Sequence, residues 1–121
     1  MDLFVWCGLG LLGGFGAVLR FGLDAVVSDR LNGNFPSGTF AVNLAGALLL
    51  GLLVGIGVDG DALRLAGVGL LGSFTTFSTW MFESERLTED GQLRVAGLNI
   101  LASLGLGIGL AWLGMQVGAA L

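Results

Sequence analysis

Near the middle of the chain, Gly72-Ser73-Phe74-Thr75-Thr76-Phe77-Ser78-Thr79-Trp80 places a glycine, three threonines and two serines inside an apolar stretch from residue 62 to 86. A transmembrane helix should be most apolar and most regular at that point. Here hydroxyls compete for backbone carbonyls, and the glycine and β-branched residues weaken the helix. An interruption at membrane depth is tolerated where the freed backbone groups face protein, a cavity or an ion, so the stretch reads as the lining of an ion site. The other reading is an unbroken helix whose hydroxyls bond back to i−4 carbonyls. Phe77 and Trp80, at i and i+3, share one face.

Further polar residues lie where lipid would penalise them. Arg20 sits well inside the first apolar segment, where a charge costs about 3 kcal/mol on the lenient insertion scale. It either faces protein or water, with Asp24 one turn on as an expected ion-pair partner, or snorkels to the interface. Thr39, Asn43 and Ala47 share a face of the second segment, and Asn99, Ser103 and Gly107 a face of the fourth. Each stripe serves either as glue between helices or as the wall of a passage. Glu83 follows Thr76 by seven residues, as a solvated helix-end carboxylate or as part of a pore end. Amide N–H groups, hydroxyls and aromatic edges all stabilise an anion without a formal charge.

The elements that must hold these groups follow from composition. Of 121 residues, 55% are hydrophobic and 12% charged, about half the charged share of a soluble domain, so this is an integral membrane protein. Nine acids face five arginines and no lysine, for a net charge of −4, which excludes nucleic acid as a partner. No histidine and one cysteine exclude the usual transition-metal clusters and an internal disulfide; Cys7 reads as a small hydrophobe. Four hydrophobic segments, residues 3–27, 37–58, 62–86 and 92–119, each approach or exceed the ~20 residues that a spanning helix needs. The expectation is a single all-α domain of four transmembrane helices, the third broken at mid-membrane. Short loops connect them: Pro36 suits the start of helix two, and Asp59-Gly60-Asp61 caps helix three. The first segment lacks a basic leader and reads as a retained span, with Trp6 and Trp112 as interfacial anchors. Glycine pairs Gly10/Gly14, Gly51/Gly55, Gly105/Gly109 and Gly114/Gly118, at i and i+4, allow close helix packing, expected to continue into a second subunit.

Three blocks carry a resemblance. Gly13-Gly14-Phe15-Gly16-Ala17-Val18-Leu19-Arg20, Pro36-Ser37-Gly38-Thr39-Phe40-Ala41-Val42-Asn43, and Gly72-Ser73-Phe74-Thr75-Thr76-Phe77-Ser78-Thr79 followed by Glu83 occur in order across residues 13–83. The chain thereby resembles the small fluoride channels of the Fluc or CrcB type, with a looser match in the fourth helix. The resemblance implies a passive, fluoride-selective channel of the cell membrane that exports fluoride and is not an enzyme. Its pores would be lined by Asn43, Thr76, Phe77, Thr79, Trp80, Asn99 and Ser103, with Arg20 and Glu83 at the entrances. It further implies an antiparallel dimer with a structural sodium ion at its centre, held by the backbone carbonyls of Gly72 and Thr75. Two positions depart from the family pattern: Trp80, where phenylalanine is commoner, and Gly107, where a hydroxyl is commoner.

The residues alone leave two competing functions. A proton-coupled exporter of the four-helix type needs a carboxylate deep in the bundle, and helix one offers none before Asp24; a non-transporting membrane assembly protein needs only the glycine packing. Arg30, Arg86 and Arg94 flank one side against Arg64 on the other, a weak bias placing the termini outside. So weak a bias suits a homodimer inserting in both orientations, the alternative partner being an oppositely oriented paralogue.

Overall fold

Four apolar runs fold as four spans in the computed structural model, which describes residues 1–121 and contains no strand. They are α1 (Leu3–Arg30), α2 (Ser37–Ile56), a composite third span (Gly60–Glu89) and α6 (Leu93–Ala120) once the pieces of the third are numbered. Those pieces are α3 (Gly60–Leu63), a π-helical stretch over Arg64–Leu71, α4 (Gly72–Phe74) and α5 (Ser78–Glu89). The third span is thus interrupted at Thr75–Phe77, as its composition demands.

Local chemistry sets the ends. α1 continues past residue 27 to Arg30, helped by a bond from Ser28 Oγ to Asp24 Oδ1 of 3.0 Å. α2 stops at Ile56, before the expected end at 58, because Gly57 adopts φ 93°, a left-handed cap that glycine takes without steric cost. The cap expected from Asp59-Gly60-Asp61 is not made by a side chain. Asp59 holds the N-cap position without a side-chain bond, and Asp61 instead pairs with Arg64 at 2.7 Å.

Only 16 of 121 residues are buried, and Phe4, Leu11, Phe21, Leu101 and Ile108 point outward, so the apolar surface is arranged for a solvent of lipid. Trp6 and Trp112 are exposed on the same outer surface. Cohesion inside the bundle comes from close backbone approach and a small cluster of Val42, Leu71 and Phe74. Two of the four glycine pairs provide that approach. A Cβ on Gly51 or Gly55 would strike the carbonyl oxygens of Ala111 or Met115. One on Gly114 would lie 2.8 Å from Leu52 N, and one on Gly118 2.6 Å from Leu52 O. α2 and α6 therefore interlock reciprocally. Gly10/Gly14 and Gly105/Gly109 face open space within the protomer.

Replacing Gly114 by alanine forces these two backbones apart and should destabilise the fold by about 1–3 kcal/mol, the usual cost of overpacking. Gly10→Ala, which meets nothing, should be neutral or slightly stabilising in the same denaturant titration in micelles.

Candidate functional site

Breaking a helix at membrane depth frees backbone groups, and their partners define this site. The π-helical stretch delivers the chain with Gly72 N–H bonded to Gly67 O, and α4 lasts a single turn. Thr75 then turns extended at ψ 164°, with its N–H on Leu71 O at 3.0 Å. In an unbroken helix Thr76 N–H would bond Gly72 O. Instead it donates to Asn43 Oδ1 at 2.8 Å, while Asn43 Nδ2 donates to Thr76 O at 2.8 Å. One side-chain amide on α2 thus clamps both backbone groups of one residue in the break. Arg20 Nε donates to Ser73 O at 3.3 Å, and Thr76 Oγ1 accepts Thr79 N–H at 3.2 Å, acting as the cap of α5.

This accounting leaves two sets of groups unclaimed within the protomer. The carbonyls of Gly72 and Thr75 accept from no donor, and the amides of Phe77 and Trp80 donate to no acceptor. The first set suits a cation, the second an anion, and the partial positive charge at the head of α5 reinforces the second. An open cavity of about 330 Å³ lies against the break, lined among others by Asn43, Gly72, Thr75, Thr76, Phe77 and Trp80. Phe77 is 71% exposed there and meets the Trp80 ring edge to face at 5.7 Å.

Glycines in the sequence blocks let neighbouring helices reach the break. At Gly16 a Cβ would strike Leu70 O and Ser73 Oγ, so α1 lies directly on the backbone leading into the break. At Gly46 it would strike Thr75 Cγ2, and at Gly38 it would come within 2.6 Å of Ser28 Oγ, fixing the start of α2 on α1.

The expected pair between Arg20 and Asp24 does not form. Asp24 accepts from Ser28, and Arg20 reaches across to the broken span, because the Gly16 notch brings Ser73 O within range of its guanidinium. Between them lies a cavity of about 10 Å³, room for roughly one water, also lined by Thr39, Thr76 and Thr79. Glu83 stands against Thr39 with its Oε1 buried and unpaired, and lines a larger open cavity of about 450 Å³ that includes Arg86, Ser28 and the loop over residues 31–36.

At the α5–α6 contact, Asn99 is fully buried and donates from Nδ2 to Ser84 Oγ at 2.8 Å. Ser84 Oγ donates to Trp80 O at 2.8 Å, and Trp80 Nε1 donates to Asn99 O at 3.2 Å. The indole N–H of Trp80, expected among the pore-lining residues, is therefore engaged between helices. Asn99 Oδ1 and Ser103 Oγ are buried and unpaired, and nothing occupies the space where a Gly107 side chain would stand. Sequence reasoning missed Ser84, which its position one turn after Trp80 would have flagged, and the backbone amides of α5, which no side-chain pattern reveals.

The model of the family described as CrcB-like protein, Camphor Resistance (CrcB), matches residues 7–115. Among similar proteins, one from Mycolicibacterium paratuberculosis named fluoride-specific ion channel FluC 2 is 50% identical over 113 residues, 93% of each chain. Fluoride-specific ion channel FluC 1 of Symbiobacterium thermophilum is 44% identical over 119 residues, covering 93% of this chain and 96% of its own. Fluoride-specific ion channel FluC 2 of Haloarcula marismortui is 45% identical over 107 residues, 86% of this chain and 87% of its own. With the break, its clamp and its glycine notches falling inside the matched region, the chain belongs to the CrcB-like family.

Proposed function

We propose that this protein is a passive, fluoride-selective channel that lets fluoride leave the cytoplasm, working as an antiparallel pair of identical chains in the cell membrane. The observation that carries the reading is the pair of unspent amides of Phe77 and Trp80 beside the cavity lined by Asn43, Phe77 and Trp80. A small anion leaving water must be met by hydrogen-bond donors, because an uncompensated charge in a dry interior is prohibitively unfavourable. Neutral donors suffice to receive it and hold it weakly enough to release it. The names of the relatives support fluoride as that anion. Arg20, tied to Ser73 O, supplies positive potential towards one end, and Glu83 shapes the neighbouring mouth. Residues 37–56 carry no ionisable group and neither do residues 95–120, which leaves no mid-membrane carboxylate for proton coupling.

The pairing follows from the same break. Gly72 is exposed, and neither its carbonyl nor that of Thr75 has a donor, a state that lipid cannot relieve. A second copy covering this face, with Gly72 and Thr75 carbonyls from both chains holding a structural sodium ion, relieves it. The ion would supply the positive charge that the freed carbonyls otherwise lack. The weak arginine bias supports identical chains in opposite orientations over an oppositely oriented paralogue.

Purified chain in liposomes should release fluoride at a rate set by membrane potential, read with a fluoride electrode, unaffected by a protonophore when the potential is clamped with valinomycin. Dependence on a proton gradient would identify an antiporter, and no flux from a correctly folded dimer would leave an assembly protein. Cross-linking of the chain expressed alone should trap a dimer; a silent monomer would point to the paralogue.

Asn43→Leu removes both bonds to Thr76, each worth about 1–3 kcal/mol when buried partners are left unmet. Flux should be lost together with thermal stability of the protomer, and full flux in this variant would sink the role of the clamp.

A further inference from the structure

Four hydroxyls in the helices or at the edge of the break bond back to the preceding turn. Ser73 Oγ donates to Gly69 O at 2.7 Å, Thr75 Oγ1 to Leu71 O at 3.0 Å, Ser84 Oγ to Trp80 O at 2.8 Å, and Thr88 Oγ1 to Ser84 O at 2.9 Å. That is the default use of such a group in a helix. Ser103, in the regular helix α6, is an exception: its Oγ is buried and has no partner.

The carbonyl one turn before Ser103 is that of Asn99. A carbonyl oxygen has two lone pairs. By helical register one receives the N–H of Ser103, and the other receives the indole N–H of Trp80, arriving from α5 at 3.2 Å. Both are taken, so the acceptor that Ser103 would ordinarily use is occupied. A buried hydroxyl left unmet is unfavourable, and an anion that accepts its proton removes the penalty.

We infer that Trp80 is a positioning residue: by occupying the Asn99 carbonyl it keeps the hydroxyl proton of Ser103 unspent, available as a donor to a dehydrated small anion moving along α6. The inference rests on the fluoride-channel reading for its substrate, but the exchange of hydrogen bonds stands apart from it. It assigns Trp80 a function in which the indole itself never touches the ion. Phenylalanine at this position would release the carbonyl, and Ser103 would turn back onto it.

The test compares Trp80→Phe, Ser103→Ala and the double variant, reconstituted at equal density, with Trp112→Phe as a control. Each single variant should lower fluoride efflux by about tenfold, the scale of one lost hydrogen bond to a charged group, and the double should be no slower than either single. Trp112→Phe should match the parent. Unchanged efflux in Trp80→Phe, or a double variant slowed by the product of the single effects, would overturn the inference. A second readout does not depend on transport. Asn99-Ile100 is the chain's one Asn-Ile pair, so labelling asparagine carbonyl carbon and isoleucine nitrogen isolates the Asn99 carbonyl by NMR. Its shift should stay near the parent value in both single variants, because one donor replaces the other, and move only in the double. Equal displacement in Trp80→Phe and the double would show that Ser103 does not take over, and would sink the exchange. If the parent carries no fluoride, the channel reading fails while the carbonyl shifts still decide the exchange. Should Trp80→Phe misfold, 3-benzothienylalanine at this position, which puts sulfur in place of the indole N–H, gives the same comparison.

Discussion

A backbone hydrogen bond that a helix gives up inside a membrane has no water to fall back on, so every group freed at Thr75–Phe77 requires a partner built by the rest of the protein. The surrounding helices are arranged around that requirement. Asn43 on α2 takes both groups of Thr76, Arg20 on α1 takes the carbonyl of Ser73, and the Thr76 hydroxyl takes the amide of Thr79. What remains unclaimed is sorted by sign, with bare carbonyls at Gly72 and Thr75 and bare amides at Phe77 and Trp80 after them. The polarity of a helix end produces that sorting without any charged side chain. One interruption thus leaves groups whose polarity suits a cation and groups whose polarity suits an anion within a few residues of each other.

Glycine makes the geometry reachable. Helices with ordinary side chains pack at 8–10 Å between axes, too far for short side chains such as that of asparagine to grip a neighbouring backbone. Gly16 and Gly46 remove that spacing where α1 and α2 meet the break, and the reciprocal notches of Gly51, Gly55, Gly114 and Gly118 draw α2 and α6 together. Hydrophobic burial contributes little here because lipid is as apolar as the core. Close van der Waals contact and interhelical hydrogen bonds take its place, which is why a chain with so few buried residues holds a defined arrangement.

The contact between α5 and α6 shows how one aromatic side chain ties polar groups together. Trp80, Ser84 and Asn99 form a closed ring of donors and acceptors across the two helices. Such a ring fixes the rotamers of all three, since each side chain both gives and receives or fills a carbonyl. The same ring diverts the indole N–H from the open cavity and leaves Phe77 as the aromatic most exposed there. Asparagine at position 99 is therefore a strut as well as a candidate lining group.

The sequence by itself determined four membrane spans, the weakness of the third at Gly72–Trp80, the lack of an acidic residue within residues 37–56 and 95–120, and through three motif blocks the class of protein. These are properties of one strand of chain read against one solvent: apolar length, helix propensity and charge cost need no knowledge of neighbours. Tertiary structure alone decided where each proton goes. Arg20 binds Ser73 and not Asp24, Asn43 clamps Thr76, Trp80 reaches Asn99, and Ser84 enters a network that no spacing rule announced. The π-helical stretch before the break was equally invisible, because its register depends on how α1 lies against it. The physical reason is common to all of these. A donor chooses among acceptors within about 3 Å, and which acceptors fall inside that radius is set by the approach of separate helices, a distance that glycines permit but only the assembled bundle sets.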